Sequence, residues 1–224
     1  MYGAVQLLFA GVELRLLPDG GVWWSDTRRL LVADVHLGFS GTAAAQPLIE
    51  HEAATLQRIA RMLGGCPARE LWVLGDLIHT PCRGWSAVED AWREFRGSYP
   101  ELHVLLVPGN HDRGAADWSE RLQVDVVSPL TTFGELSLVH DPEAAPEHRD
   151  TIAGHLHPTC SVSPHGPRRF PCYWLRGRCL ILPAISALPG RRKTVPQPHD
   201  RVWAIVEDRL QEVSADPTPE CADG

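Results

Sequence analysis

The sequence is poor in the features that mark several large protein classes. No apolar run approaches the roughly 20 residues of a membrane-spanning helix. The opening stretch from Val5 to Leu17 is broken by Gly11, Glu13 and Arg15 and lacks a basic leader, so it does not read as a secretory signal. It alternates as a pair of short strands would, and a cytoplasmic protein is expected. The six cysteines contain no Cys-x-x-Cys pair, which argues against a zinc finger. Without an export signal, buried free thiols are expected in place of a disulfide framework. There is no strict internal repeat and no linker long enough to separate domains. One domain is therefore expected over residues 1–215, with the polar residues 216–224 as a disordered tail.

Positive charge is also scarce overall. The net charge of −7 over 224 residues does not suit a protein that coats nucleic acid nonspecifically. Acids, however, nearly vanish between Pro158 and Arg201, where only Asp200 opposes Arg168, Arg169, Arg176, Arg178, Arg191, Arg192, Lys193 and Arg201. A basic segment on an acidic body fits either a docking surface for a phosphate-bearing substrate or a solvated loop, and composition leaves both open.

One arrangement recurs along the chain. A short run rich in Leu, Val and Ile stops abruptly at polar residues. Leu30–Ala33 runs into Asp34 and His36, Leu71–Leu74 into Gly75-Asp76, and His103–Val107 into Gly109-Asn110-His111-Asp112. Leu136–Val139 then runs into His140, and Thr151–Ala153 into Gly154-His155-Leu156-His157. Leu48–Leu63 has helical spacing, with apolar residues three and four apart. Ser86–Phe95 is a second helix, with Ser86 as N-cap and Glu89 completing a capping box. Strands alternating with helices imply crossover units and a largely parallel sheet in the first half. Short strands follow, ending in Arg201–Val206 and Arg209–Val213.

Loops at the carboxyl ends of strands are where sites assemble in such sheets. Five of them here carry Asp, Asn and His. Asp34 and His36, two apart, can project to the same side. Asp76 follows a glycine that permits a sharp turn, and its two oxygens can bridge two cations. Asn110 adds a neutral oxygen, and His140, His155 and His157 complete a nitrogen–oxygen set without thiolate. Such a set suits Mn²⁺, Fe or Zn²⁺ better than Ca²⁺. Trp72, inside a strand, reads as core rather than as a base-stacking platform.

Asp-x-His, Gly-Asp, Gly-Asn-His-Asp, a lone His and Gly-His-x-His, in that order over roughly residues 30 to 160, resemble the calcineurin-like metallophosphoesterase superfamily. The resemblance implies an α/β fold, a four-layer αββα sandwich with two central sheets. It assigns Asp34, His36 and His157 to one metal, Asn110, His140 and His155 to the other, and Asp76 to both. His111 then faces the scissile phosphate. Val22-Trp23-Trp24, Leu31–Gly38, Gly75–His79, Phe170–Arg176 and Leu180–Ala184 extend the likeness to the bacterial ligase-associated DNA damage response phosphoesterases, the PdeM family. That resemblance implies a Mn²⁺-dependent nuclease or phosphodiesterase acting on DNA, single-stranded DNA included. It also implies a repair system that includes an ATP-dependent DNA ligase, a helicase and an exonuclease.

The superfamily's second Asp, three residues after Asp76, is replaced by His79. His79 is accordingly a candidate phosphate contact and Asp112 a candidate to steady His111. Arg113 and Arg176 are candidate phosphate binders through their forked donors. Two other functions compete. One is a small-molecule phosphatase or nucleotide pyrophosphatase of the same superfamily. The other is an interaction protein with a vestigial site, which the complete set of expected ligands disfavours.

Overall fold

A computed structural model describes residues 3–39, 48–79, 85–163, 166–186 and 192–213. Residues 216–224, expected as a tail, lie outside the described residues, as do Cys82 and Cys221. The apolar runs form two sheets. The first carries, in spatial and sequence order, β1 (Val5–Phe9), β2 (Val12–Leu16), β3 (Val22–Trp24), β4 (Arg29–Val32), β5 (Glu70–Leu74), β6 (His103–Val107) and β7 (Asp125–Val126). Its β4–β7 half is parallel. The antiparallel β1–β4 half begins with the pair of short strands read from the alternation of Val5 to Leu17.

The second sheet carries β8 (Leu130–Phe133), β9 (Leu136–Val139), β10 (Asp150–Ala153), β11 (Pro158–Ser161), β12 (Arg169–Arg176), β13 (Cys179–Ile181), β14 (Arg192–Lys193), β15 (Arg201–Val206) and β16 (Arg209–Val213). Its order is β14-β11-β12-β13-β10-β9-β8, with β15 and β16 added through β12.

Residue parity sorts the side chains into layers, because alternate residues of a strand face opposite sides. Leu31, Trp72, Leu74 and Val107 from the first sheet meet Leu138, Ile152, Tyr173, Leu180 and Trp203 from the second, forming the core between the sheets. The other face of the first sheet, with Leu30, Val32, Val73 and Leu106, is covered by three helices. These are α1 (Leu48–Gly65), α2 (Trp85–Ser98) and α3 (Ala115–Leu122). Helix α2 starts one residue before Ser86, so Ser86 lies in the first turn and is not the cap expected from the capping-box pattern. On the far side of the second sheet, Cys160, Phe170, Cys172, Trp174, Val202 and Ala204 form a third buried cluster. The four described cysteines, Cys66, Cys160, Cys172 and Cys179, are buried thiols outside any disulfide, as expected. No described helix is long and apolar enough to cross a membrane.

Candidate metal centre and active site

The parallel strands β4, β5 and β6 all end on the same edge, and β9 and β10 bring their C-terminal ends to it from the second sheet. Bridges tie the two sheets there. Ala33 pairs with Ala184, and Ile185 and Ser186 donate their N–H groups to the carbonyls of Ala33 and Asp34. Four of the five polar loops line one cleft of about 390 Å³, and His140 of the fifth is buried against it beside Asn110 and His155. Phe39 and Leu156 furnish its apolar walls, and His36, Asp76, His79, Asn110, His111, His155 and His157 its polar ones.

The backbone at this edge is unusual. Asp34, His36, Asp76, His155 and His157 all have positive φ, between 45° and 70°. Left-handed backbone costs a residue with a Cβ about 1–2 kcal/mol, so five such residues in one cleft are a concentration of strain of the kind found at functional sites. This also corrects the sequence reading of Asp34 and His36. They share a side because both are left-handed, not because a strand alternates. Gly75 has φ +78°, and a Cβ there would run into the His140 ring. A Cβ on Gly109 would collide with the Asp76 carboxylate. The glycines before Asp76 and Asn110 therefore make room for neighbouring candidate ligands as well as for turns.

Two clusters of ligand-type atoms result. Asp34, His36 and His157 form one, and Asp76, His140 and His155 the other, each within a span of 4.8 Å. In the first, His36 Nε2 lies 3.1 Å from His157 Nε2, and His157 Nε2 lies 3.4 Å from Asp34 Oδ1. In the second, His140 Nε2 lies 3.1 Å from His155 Nδ1 and 3.0 Å from Asn110 Oδ1. Ligands held at right angles about 2.1 Å from one ion would sit about 3.0 Å apart, so the spacings fit a cation in each cluster. Asp76 joins the two. Its Oδ2 is 3.7 Å from His36 Nε2 and 3.5 Å from His140 Nε2. Its Oδ1 accepts the His111 N–H at 2.8 Å, which leaves Oδ2 directed between the clusters.

Hydrogen bonds fix these groups. Both oxygens of Asp34 accept the His155 N–H, at 2.9 and 3.2 Å. His140 Nδ1 is 3.0 Å from the Leu74 carbonyl, which sets the tautomer that leaves Nε2 free to ligate. Burial, assisted by His157, His79 and His111 and opposed by Asp34, pushes His36 down to about 3, so its imidazole is neutral, the form a metal requires. For Asp34, burial works to raise the pKa. The hydrogen bond and charge of His157, with His140 and His36, outweigh it and hold the carboxyl below the usual range. Asp76 is raised, first by burial and also by Asp34, against the pull of His140. Two cations would relieve that cost. A thiolate-free set of imidazoles and carboxylates around a shared carboxylate fits divalent transition metals.

The other sequence candidates divide. His111 and His79 line the cleft with their rings stacked, centroids 4.3 Å apart and 20° between planes. His79 Nδ1 also lies 3.1 Å from His36 Nδ1. Asp112 stands elsewhere. It is 4% exposed, and its carboxylate accepts the N–H groups of Asp76, Gly109 and Ile78 at 2.7, 2.8 and 3.1 Å. It braces the two loops from beneath and makes no described contact with the His111 ring. Burial foremost, with Asp76 adding, raises it to about 6 against those N–H bonds. Arg113 is exposed just before α3 and does not line the cleft.

Arg176 does not reach the cleft. Its guanidinium lies over Trp174, 5.3 Å from the ring centroid, and its strand partner Cys179 pairs with Thr151, at the end of β10 away from His155. An isolated sequence motif could not reveal that register.

Sequence reasoning passed over Glu52. This fully buried residue of α1 accepts the Gly38 N–H at 2.8 Å and so anchors the loop after His36. Burial raises it to about 7 against that bond. The available signal was an acid at helical spacing from Leu56, Ile59 and Leu63, on the apolar face.

Comparison with known proteins agrees with this geometry. The family model described as Calcineurin-like phosphoesterase matches residues 27–180. Among solved structures, the crystal structure of Pseudomonas putida nuclease MPE superposes with a TM-score of 0.81 at 30% identity, covering 94% of this chain and 100% of that one. No curated protein matches the chain.

Proposed function

The chain belongs to the calcineurin-like phosphoesterase family and is a metal-dependent phosphoester hydrolase, and from that premise we propose that its substrate is the phosphodiester backbone of DNA, single-stranded DNA in particular. The observation that carries the metal-dependent chemistry is the placement of Asp76 Oδ2 between two clusters of imidazole-nitrogen and carboxylate ligands. Asp34, His36 and His157 would hold one divalent cation, Asn110, His140 and His155 the other, and Asp76 both, with Mn²⁺ the first candidate and Fe or Zn²⁺ the alternatives. When bound, such a pair supplies Lewis-acid activation of water and neutralises charge on the phosphoryl oxygens.

The residues of the chain do the rest. The Asp34, Asp76 and Asp112 carboxylates hold the loops through backbone N–H bonds, which limits reorganisation as charge develops. His111, on the cleft wall, donates a proton to the leaving oxygen or a hydrogen bond to the phosphoryl group. His79, stacked on it, restricts its ring and adds a second donor towards the phosphate. Phosphoryl transfer between such groups needs no covalent enzyme intermediate.

The nucleic-acid substrate is supported by the likeness to a nuclease over nearly the whole chain. The sequence likeness to ligase-associated phosphoesterases supports a role in DNA repair beside an ATP-dependent DNA ligase, a helicase and an exonuclease, in the cytoplasm. The test incubates the purified protein with single-stranded DNA and with an aryl phosphodiester, in Mn²⁺ and in chelator, alongside Asp76→Ala. Metal-dependent cleavage of DNA that competes with the aryl ester, lost in the variant, is expected. Turnover of the small ester with DNA left intact would favour a small-molecule phosphatase instead.

A further inference from the structure

The second sheet runs on from the cleft beyond His157, and its register shows which side chains it presents there. β11 begins one residue after His157 and leads away from the metal centre. It pairs with β12 through Thr159↔Pro171 and Ser161↔Arg169, and with β14 through Thr159↔Lys193. Directly opposed residues share a face, as do residues two apart on one strand. Ser161, Arg169, Pro171 and Lys193 therefore lie on a single face and are exposed, around Thr159, which shares that face and is buried. The opposite face holds Cys160, Phe170 and Cys172, which are buried. By parity the exposed face continues from Tyr173, in the core between the sheets. It is the inner side of the second sheet, carried past the end of the sandwich.

Charge on this ledge is one-sided. No Asp or Glu occurs in β11, β12 or β14. Lys193, the only lysine in the chain, and Arg169 have no acidic partner among the described residues. Several other cations are paired with acids: Arg178 with Asp150, Arg201 with Glu212, Arg61 with Asp19 and Arg93 with Asp90. Strand spacing places Lys193 about 8 Å from His157, backbone to backbone, and Arg169 about two residues further along the ladder. Exposed cations without acidic partners, set on either side of β11 as it leads away from a phosphoester-cleaving centre, are complementary to a polyanion threading that centre.

We propose that this ledge, through Lys193 and Arg169 with Ser161 between them, binds the phosphates of the single-stranded DNA next to the scissile bond. The inference rests on the nucleic-acid reading above and adds the direction in which the polymer leaves the cleft. An acidic protein partner is the less favoured occupant, because the ledge opens directly onto the hydrolytic centre.

The experiment compares Lys193→Glu with Arg169→Glu, as a double variant, against wild type on single-stranded DNA in Mn²⁺ at several salt concentrations. A control double variant, Arg178→Glu with Arg209→Glu, carries the same charge change on surfaces away from the ledge. Each phosphate contact to single-stranded DNA contributes about 0.7 to the slope of log affinity against log salt. The ledge variant is therefore expected to raise KM for DNA at least about tenfold and to flatten that slope by about 1.4, with kcat at saturation retained. The control is expected to match wild type. A ledge variant whose KM and salt slope equal those of wild type, while wild type cuts DNA, overturns the ledge and leaves the nuclease reading standing. A wild type that hydrolyses the aryl ester and leaves DNA intact overturns the nuclease reading, and the ledge with it.

Discussion

Asp112 offers the sharpest separation between what a motif suggests and what the fold does. It follows His111 directly, yet its carboxylate takes three backbone N–H groups, from Asp76, Gly109 and Ile78. Asp112→Ala would leave these buried donors without an acceptor, at about 1–3 kcal/mol each. The expected loss is about 3–6 kcal/mol, at the upper end of what single substitutions do.

Asp112→Asn should cost less, about 2 kcal/mol. Its one carbonyl oxygen can take the place of Oδ2, which accepts from both Asp76 and Gly109, while its amide confronts the Ile78 N–H. It is also relieved of the buried charge that lifts Asp112 to about 6. Urea denaturation in chelator measures the stability, and calorimetric titration with Mn²⁺ measures the site. Metal affinity should fall with the loosening of the Asp76 loop. The brace is refuted if Asp112→Ala lies within about 0.5 kcal/mol of wild type. It is equally refuted if Asp112→Asn keeps its stability and both metals yet loses kcat a hundredfold, as a proton-handling group would.

Three further outcomes follow from named contacts. His111→Ala should lower kcat about 10²–10⁴-fold with both metals retained by elemental analysis; loss of a metal instead would make it a ligand. Gly75→Ala, which combines a positive φ with overlap on His140, should cost about 1–2 kcal/mol and weaken one cation site about 10–100-fold. Metal stoichiometry should fall from two towards one, and full occupancy would contradict the close approach. Glu52 has its pKa raised from 4.5 to about 7 by burial, so its ionised form is the disfavoured one in the fold. Stability from the neutral carboxyl is present below pH 4.5 and is lost as pH rises towards 7, at about 1.4 kcal/mol per unit. In chelator, Glu52→Gln should match wild type near pH 4.5 and be the more stable above pH 7, by melting temperature; a pH-independent difference between the two would refute this.

Much of the site was legible because each candidate ligand sits where an apolar run ends, and a parallel sheet brings such ends to one edge. Asp34, His36, Asp76, Asn110, His140, His155 and His157 could be chosen on that ground, and they converge. Other residues were not legible for definite reasons. Arg176 stood in a family-like motif, but the β12–β13 register carries it to the wrong end of the second sheet. Asp112 stood beside His111 in sequence, while the turn at Gly109 aims the two side chains at different neighbours. Glu52, on the apolar face of α1, shows its role only through its contact with Gly38, a residue of a distant loop.

The sequence by itself determined the strands that end in polar loops, helices α1 and α2 and the inventory of candidate ligands, because hydrophobic period and residue chemistry are local properties of the chain. Tertiary structure alone decided which oxygen of Asp76 lies between the clusters, which face Lys193 and Arg169 share, and which carboxylates brace rather than react. Those depend on register, on left-handed backbone at five residues and on contacts between segments more than 30 positions apart. No local rule encodes them, since their energies exist only once the two sheets have packed.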